Sequence, residues 1–179
     1  MEEHIVKILK AEYLTHDVKR FVVEKPAGYT FIPGNSTEVS INKPGFTDKK
    51  RHFTFTGLNE WDHLEFTIKI YRDHQGVTNE LDQTNAGDEL IIREPWGTIH
   101  YDKPGAFIAG GAGITPFIAI LRSLHAKQEI QGNSLYFSVK TSDDVILENE
   151  FREMLGDDFH VVLTRENIMG FREKEIDKQ

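Results

Sequence analysis

Cysteine is absent from this chain of 179 residues. No disulfide, thiolate nucleophile or cysteine metal site can therefore form within it. Excess positive charge is lacking too, because 21 lysines and arginines stand against 29 aspartates and glutamates, for a formal net charge of −8. A nucleic-acid-binding protein needs a basic face, so this balance argues against that class. The longest apolar run, at 107–121, is broken by glycines and a proline and is too short to cross a bilayer as a helix.

The N-terminal segment MEEHIVKILKAEY carries a charge every few residues, unlike a signal peptide. The absence of cysteine fits a reducing compartment. We therefore expect a cytoplasmic protein without nucleic-acid or membrane partners. The 8 histidines are scattered, with no H-x-x-x-H spacing and no cysteine partner, so we expect no metal site.

Residues 1–102 read as short strands separated by turns. LEFTIKI (64–70) alternates strictly, with Glu65, Thr67 and Lys69 on its polar side, which predicts a half-buried strand. Weaker runs are HIVKILK, VKRFVVE, TEVSI, RHFTFT and DELIIRE, with turn residues between them. About six such strands predict an antiparallel barrel or sandwich.

The pattern changes after YDKPG (101–105). The runs AFIA, SLYFSVK and FHVVL predict strands that alternate with helices at 116–127 and 146–155, which is typical of a parallel sheet. This β-α-β-α-β count is one mononucleotide-binding half of a doubly wound sheet. We therefore expect an α/β domain over residues 103–179 that is incomplete at its C-terminal end.

A glycine turn, GGAGITP (110–116), joins the first of these strands to its helix. Gly111 and Gly113 would let a ligand approach the backbone, and the free N–H groups and dipole of a helix start favour an anion such as a diphosphate. Thr115 is placed to cap the helix, and Pro116 suits its first turn. The alternative is a tight turn that needs small residues only for packing, and spacing alone leaves both open.

Four motifs resemble those of the ferredoxin–NADP reductase family, above all its bacterial flavodoxin/ferredoxin reductases. RHFTFT resembles the family's R-x-[Y/F]-[S/T] flavin motif, HQGVTNEL its G-x-x-[S/T]-x-x-L phosphate turn, GDELIIREPWGTI the end of its barrel, and GGAGITPFIAILR its nicotinamide-nucleotide motif. The resemblance covers essentially the whole chain. It implies a six-stranded antiparallel β-barrel that binds FAD, over residues 1–102, followed by a partial parallel-sheet α/β domain that binds NADPH or NADH.

The activity implied by the resemblance is a flavin-dependent NAD(P)H reductase. Hydride would pass from the nicotinamide to flavin N5, and single electrons would then pass to flavodoxin or a ferredoxin-like carrier. Two alternatives stay open. One is the reductase component of an oxygenase system, which has the same core, and the other is a non-catalytic flavin-binding module.

The resemblance also implies the flavin contacts. Arg51 would meet a flavin phosphate, Phe53 would face the ring where many members carry tyrosine, and Thr54 would bond the N5 edge and be catalytic. The other expected contacts are His52, Ile70, His74, Gly76, Val77 and Thr78. Since Arg51 and Phe53 point to one side of a flat strand and Thr54 to the other, the flavin would have to follow a twisted strand or its end. Without the other motifs, RHFTFT would fit better as an ordinary amphipathic strand with Phe53 and Phe55 in the core.

On the nucleotide side, the resemblance implies contacts from Gly111, Gly113, Thr115 and Pro116, with Thr115 catalytic beside the stacked rings. Thr164 and Arg165 match a Ser/Thr-Arg pair that holds the 2′-phosphate in NADPH-specific members, and Arg172 and Lys140 would add charge. Two solvated surface cations are the alternative.

The family's C-G-P-x-x-M motif is missing. We therefore expect retained flavin binding but impaired or no nucleotide turnover.

A compact basic cluster, Lys49-Lys50-Arg51, stands out in this acidic chain. With Arg51 at the flavin, the two lysines would lie beside the exposed ring edge and guide an acidic electron carrier. A solvated turn is the alternative.

Overall fold

An antiparallel sheet is followed along the chain by a parallel one, in a computed structural model that describes residues 2–73 and 76–166. The strands of the first sheet are β1 (Glu3–Tyr13), β2 (Val18–Glu24), β3 (Ser36–Ile41), β4 (Arg51–Thr54), β5 (His63–Lys69) and β6 (Glu89–Arg93). Helix α1 (Val77–Gln83) lies between β5 and β6 in the sequence.

The six strands take the order β4-β3-β6-β1-β2-β5, and every neighbouring pair is antiparallel. An isolated bridge between Phe55, just after β4, and Phe66 of β5 joins the two edge strands. The sheet thereby closes almost completely around an apolar core in which both phenylalanines are fully buried. The predicted antiparallel barrel is confirmed.

The second sheet consists of β7 (Ala106–Gly110), β8 (Ser134–Val139) and β9 (Phe159–Leu163), all parallel and in that order. Helix α2 (Thr115–Ala126) follows β7, and helix α3 (Glu148–Leu155) follows β8. The predicted strand-helix alternation is confirmed. Because the strands are parallel, their C-terminal ends share one edge, which is where open α/β sheets bind ligands.

The hairpin that joins β1 to β2 connects the barrel to the second sheet. Val18 at the start of β2 is 3% exposed and belongs to the apolar cluster built on α2 and β7–β9, with half-buried Leu14 packed against the same cluster. Burying an aliphatic side chain of this size stabilises the fold by about 2 kcal/mol. The two sheets therefore share apolar packing through this hairpin.

Lys19, the next residue, holds the C-terminal end of α1. It is only 3% exposed, and its ammonium donates to the carbonyl oxygens of Leu81 at 3.4 Å, Asp82 at 2.9 Å and Thr84 at 2.8 Å. The last carbonyls of a helix have no partner within the helix, so a cation there satisfies them and opposes the negative end of the dipole. Burial lowers the pKa of this ammonium.

Strand β5 differs from the half-buried strand that its alternation predicts. Glu65 is 3% exposed and Thr67 is 4% exposed, so the polar side of the strand is buried as well. The cause is tertiary, because Arg122 of α2 reaches across and donates to the Glu65 carboxylate at 2.6 Å. The second domain thus covers a face that the sequence pattern assigns to solvent.

Among residues 2–73 and 76–166, no helix combines the length and hydropathy required to cross a membrane.

Candidate functional site

A cavity of about 170 Å³ lies where the glycine turn, the ends of β8 and β9, and the barrel meet. The α/β domain contributes most of its lining, including Gly111, Ala112, Ser138, Lys140, Asp144 and Thr164. The barrel contributes Asp17, Val18 and Lys69. The cavity therefore sits at the C-terminal edge of the parallel sheet and has a wall from each domain.

The glycines of the turn are not there for packing. A Cβ atom built at Gly110, Gly111 or Gly113 would meet no atom within 4 Å. Gly34 is the contrasting case, because a Cβ there would lie 2.3 Å from the carbonyl oxygen of Ile99. Gly111 alone in the turn has a left-handed backbone, with φ of +49°. The packing alternative for the turn is wrong, and the space above its backbone is open to a ligand.

The entry into α2 differs from the predicted cap. Residues 111–114 form a 3-10 turn, and Thr115 is already the first helical residue. Its hydroxyl donates to the carbonyl oxygen of Ala112 at 3.1 Å, so it caps no N–H group. Pro116 lies in the first turn of the helix, as predicted. Because the 3-10 turn tightens the chain before the helix, the threonine moves from the capping position into the helix.

The barrel wall of the cavity carries an ion pair. Lys69 Nζ lies 2.8 Å from Asp17 Oδ2, and the two side chains are 24% and 18% exposed, respectively. Burial opposes ionisation of Asp17, but the hydrogen bond and charge of Lys69 outweigh it and hold the pKa of that carboxyl below its usual value. The same pair, against the effect of burial, raises the pKa of Lys69. The Lys69 ammonium and the Asp17 carboxylate thus both stay ionised over the physiological pH range, as a pair without net charge.

His16, Asp17 and Asp144 form a small cluster of titratable side chains at this pair. His16 Nε2 is 3.6 Å from Asp17 and 3.8 Å from Asp144. Their ligand atoms lie within 4.8 Å of one another, a spacing that exposed acidic groups often adopt without any ion. Asp144 already accepts from the backbone N–H and the hydroxyl of Thr141, both at 2.9 Å. Its carboxylate is thereby used in a local capping box.

Beyond the end of β9, the chain stays paired with the end of β8 and the residue that follows it. The N–H of Thr164 donates to the carbonyl of Val139 at 2.9 Å, and the N–H of Arg165 donates to the carbonyl of Lys140 at 2.9 Å. Thr164, Arg165 and Lys140 are all exposed. Thr164 and Lys140 line the cavity. This arrangement places hydroxyl and cationic groups at the outer end of the site.

Strand β4 presents its predicted residues on two faces. Phe53 is half-buried and packs against the barrel core, opposite buried Thr37 on β3. Thr54 is also half-buried, opposite Ser36. The strand is only four residues long, so Thr54 stands at its end, which is the situation that the flavin prediction requires.

The two residues before Phe53 are exposed. Arg51 donates to the carbonyl of Lys50 at 2.8 Å, and among residues 2–73 and 76–166 no carboxylate pairs with it. His52 packs edge-on against Trp96, with ring centroids 5.0 Å apart, and its Nε2 lies 3.8 Å from Glu38. The guanidinium of Arg51 is therefore available to an anion.

The second predicted flavin segment surrounds the start of α1. Ile70 and Val77 are 3% and 1% exposed and belong to the barrel core, so their side chains hold the segment rather than face outward. Gly76 precedes the helix, and a Cβ there would meet no atom within 4 Å. Thr78 is half-buried in the first turn. His74 lies outside the described residues, as does Arg172.

The structure brings part of the predicted set together. Gly111 and Thr164 line one cavity, while the residues of β4 and the start of α1 belong to the barrel. Sequence reasoning missed Asp17 and Lys69. Their signal was weak, because Lys69 is an ordinary polar residue of an alternating strand and Asp17 sits in a hairpin turn. Only the fold places them at the cavity.

Both groups of residues fit dinucleotide cofactors. At the cavity, bare backbone over the glycine turn and the Lys69 ammonium suit a diphosphate-bearing nucleotide. On the barrel, the donor set comprises an unpaired guanidinium at Arg51, an aromatic face at Phe53 and the Thr54 hydroxyl. Such a set suits a phosphate, a planar ring and a polar ring edge.

Two family models match the chain in succession. The model described as "Oxidoreductase FAD-binding domain" matches residues 5–101, and the model described as "Oxidoreductase NAD-binding domain" matches residues 107–174. The first covers more than half of the chain, and the two follow the order of the barrel and the α/β domain.

Among curated proteins, the chain is 29% identical over 155 residues to the reductase component of propane 2-monooxygenase from Rhodococcus jostii. It is 32% identical over 161 residues to NADH-cytochrome b5 reductase 1 from Kluyveromyces lactis. Each match covers 83% of this chain but only 41% and 57% of the two relatives. The chain thus spans about half the length of these relatives.

Solved structures show the same fold at lower identity. The flavohem-like FAD/NAD binding domain of nitric oxide dioxygenase from Vibrio cholerae superposes with a TM-score of 0.85 at 18% identity, over 97% of this chain and 79% of that one. A ferredoxin NADP+ reductase from Neisseria gonorrhoeae, with bound FAD and NADP, gives 0.82 at 22% identity, over 98% and 74%. At these identities the likeness establishes the fold.

Proposed function

Because the chain belongs to the ferredoxin–NADP reductase-like flavoprotein oxidoreductases, with an FAD-binding domain followed by an NAD-binding domain, we propose that it is an FAD-dependent NAD(P)H reductase. In this proposal it passes hydride from NADPH or NADH to FAD, and then single electrons to a small carrier such as flavodoxin or ferredoxin. We further propose that it works in the cytoplasm.

The glycine turn is the observation that carries the proposal. A Cβ atom would meet no protein atom within 4 Å at either Gly111 or Gly113. The left-handed backbone of Gly111 itself favours glycine, whereas at Gly113 neither packing nor a positive φ requires it. The same turn lines a cavity at the C-terminal edge of the parallel sheet. A nucleotide diphosphate needs both close access to backbone N–H groups and an edge of this kind.

The chain's own residues would bind and orient the nucleotide from two sides. Lys69 would donate a hydrogen bond to the diphosphate, and its Asp17 partner keeps the ammonium in one place. Thr164 and Lys140, which line the cavity, and the neighbouring Arg165 would meet a 2′-phosphate, which favours NADPH over NADH. The Thr115 side chain would lie near the nicotinamide, and its bond to Ala112 fixes its hydroxyl.

On the barrel, Arg51 would bind a flavin phosphate and Phe53 would support the ring, with Thr54 at the ring edge. Gly76 and Thr78 at the start of α1 would approach the diphosphate. When bound, the flavin supplies the chemistry, because it accepts two electrons as hydride and releases them one at a time. The protein supplies position and electrostatics.

Absorbance and mass spectrometry of the purified chain provide the direct test. We expect a yellow protein whose released cofactor has the mass of FAD, and slow bleaching of the flavin on anaerobic addition of NADPH, in line with the impaired turnover expected from the sequence. Substitution of Arg51 by glutamine should lower FAD occupancy without unfolding the barrel, since the side chain is exposed. A colourless protein that takes up no added flavin at micromolar levels would refute the proposal.

A second candidate, the reductase component of an oxygenase system, is favoured by the similarity to the propane monooxygenase reductase. The same core would then deliver electrons to an oxygenase partner. Reduction of flavodoxin and ferredoxin by the loaded chain should be compared with reduction of an oxygenase component under identical conditions. The carrier proteins should be reduced faster if the first proposal is right.

A further inference from the structure

Arg122 connects the helix that follows the glycine turn to the barrel. It lies on α2, about two helical turns after Thr115, and is 8% exposed. Its Nη1 donates to the carbonyl oxygen of Thr56 at 2.7 Å and to the Glu65 carboxylate at 2.6 Å. Both acceptors belong to the barrel, so a single guanidinium group bridges the two domains.

The opposite side of the guanidinium is also occupied. Its Nε and Nη2 donate to the two carboxylate oxygens of Glu150 on α3, at 2.5 Å and 2.9 Å. On the barrel, the Thr56 hydroxyl donates to Glu65 at 2.8 Å and lies 3.2 Å from the hydroxyl of Thr67. We call Arg122, Glu65, Thr56 and Glu150 the Arg122 network.

The Arg122 network is poorly explained as a source of stability. Two nearly buried charges lose most of their hydration, and their attraction in the interior often does no more than offset that loss. The geometry of these charges is restrictive, however, because a planar guanidinium can bond two carboxylates in only a few relative orientations. Such a pair favours one arrangement of the elements that it joins.

The elements joined here are those that carry the two proposed cofactor sites. Thr56 follows Thr54 by two residues, and Glu65 lies on the same strand as Lys69. On the other side, Arg122 shares α2 with Thr115. We propose that Arg122 is a positioning residue that fixes the orientation of the α/β domain on the barrel, and thereby the approach of the nicotinamide to the flavin. The claim that Arg122 fixes the domain orientation does not depend on the proposed function. The claim that this orientation affects hydride transfer rests on the proposed function.

Pairwise distances between spin labels test the orientation without any cofactor. Since the chain contains no cysteine, Asp48→Cys on the barrel and Gln131→Cys on the α/β domain give two labelling sites, and both positions are exposed. We expect one narrow distance distribution for the parent chain and a clearly broader one for Arg122→Met. Arg152→Met, which removes an exposed ion pair with Glu148 within α3, is the matched control and should leave the distribution narrow.

A double variant separates positioning from folding. Arg122→Met leaves the Glu65 charge buried, and Glu65→Gln in the same chain removes it. We expect the double variant to recover much of the thermal stability that the single variant loses, while its distance distribution stays broad. Should Arg122→Met not fold, the double variant carries the test. A distribution as narrow as that of the parent, in either folded variant, would overturn the proposal.

Stopped-flow reduction of the FAD-loaded protein tests the consequence. Since a displacement of about 1 Å lowers reaction rates by up to roughly a hundredfold, Arg122→Met should slow flavin bleaching by at least tenfold. FAD occupancy should change less than threefold, because the proposed flavin contacts, Arg51, Phe53 and Thr54, all lie on the barrel. A broad distribution with an unchanged bleaching rate would overturn the link to hydride transfer. If the chain binds no flavin, the label distances still decide the orientation.

Discussion

The Lys69 ammonium on β5 and the Asp17 carboxylate on the β1–β2 hairpin lie 2.8 Å apart in the wall of the cavity. Both belong to the barrel, yet the cavity that they line opens on the glycine turn of the other domain. The pair therefore sets the charge at a site to which the barrel contributes only one wall.

This pair should make stability depend on pH in the acid range. The pKa of Asp17 is held below its usual value by Lys69, although burial acts in the opposite direction. A carboxyl with a lowered pKa stabilises the fold above its unfolded pKa of about 4, and that contribution is lost as the pH falls through the lowered pKa. Asp17→Asn should therefore destabilise the chain at about pH 6 and much less at about pH 3.

Urea unfolding of both proteins at the two pH values measures this difference. Asp48→Asn, at an exposed position, is the control and should differ from the parent by the same small amount at each pH. A gap between Asp17→Asn and the parent that does not narrow at low pH would show that Lys69 leaves the carboxyl unperturbed.

The open space above the glycine turn predicts a separation of binding from stability. Gly113→Val should cost less than about 1 kcal/mol of folding free energy, because a Cβ atom at this position meets no protein atom within 4 Å. The same side chain would occupy the path of the nucleotide and should weaken NADPH binding by at least about tenfold, or about 1.4 kcal/mol. Calorimetry for binding and thermal unfolding for stability give the two values.

Gly34→Ala serves as the opposite control. Its Cβ would lie 2.3 Å from the Ile99 carbonyl oxygen, at a residue with φ of +100°. Overpacking and the left-handed backbone together should cost roughly 2–5 kcal/mol. If Gly113→Val proved as destabilising as Gly34→Ala, the turn would be a packing feature after all.

The buried Lys19 predicts a local effect on α1. Lys19→Met removes the donor to three carbonyl oxygens at the end of the helix, and we expect a loss of roughly 2 kcal/mol. Hydrogen exchange should quicken most in the peptide that contains α1. The control, Lys10→Met, removes an exposed pair with Glu12 and should change stability by less than about 0.5 kcal/mol. Equal exchange in α1 for both variants would contradict this role.

The basic turn at Lys49 and Lys50 predicts how a carrier approaches, given the proposed function. Lys49 lies over the Phe46 ring at 4.3 Å, and Lys50 is 3.5 Å from Glu38. Reversing both charges should slow association with an acidic carrier about tenfold at low salt and flatten its salt dependence. Stopped-flow association over a range of salt concentrations measures both effects.

A second pair of lysines keeps the net charge matched. Lys103 and Lys127 are exposed on the α/β domain, and changing both to glutamate alters the total charge equally. Association should slow far less in that control. Similar slowing in the two double variants would mean that total charge, rather than the basic turn, steers the carrier.

Periodicity and turn residues predicted most of the fold, because strands and helices leave local patterns. The runs around Leu64, Leu135 and Val161 are strands in the structure, and α2 and α3 lie in the predicted helical stretches 116–127 and 146–155. The cap at Thr115 was wrong, because a 3-10 turn and the start of a helix have the same small and polar residues. Local patterns do not distinguish them.

The contacts between the two domains could not be predicted from the sequence. Glu65 reads as the solvent side of a strand, since its partner Arg122 is 57 positions away along the chain. Arg122 did leave a trace, as the only charged residue in the apolar stretch FIAILRSL. A charged residue in such a stretch predicts a buried charge, but it does not identify the carboxylates that pair with it.

Asp17, Val18 and Lys19 are consecutive, and each serves a different part of the molecule: the cavity, the shared apolar cluster and the end of α1. A strand reverses its side chains at every step, so inserting or deleting one residue in this hairpin would misdirect all three together. The length of this hairpin is therefore constrained as well as its amino acids.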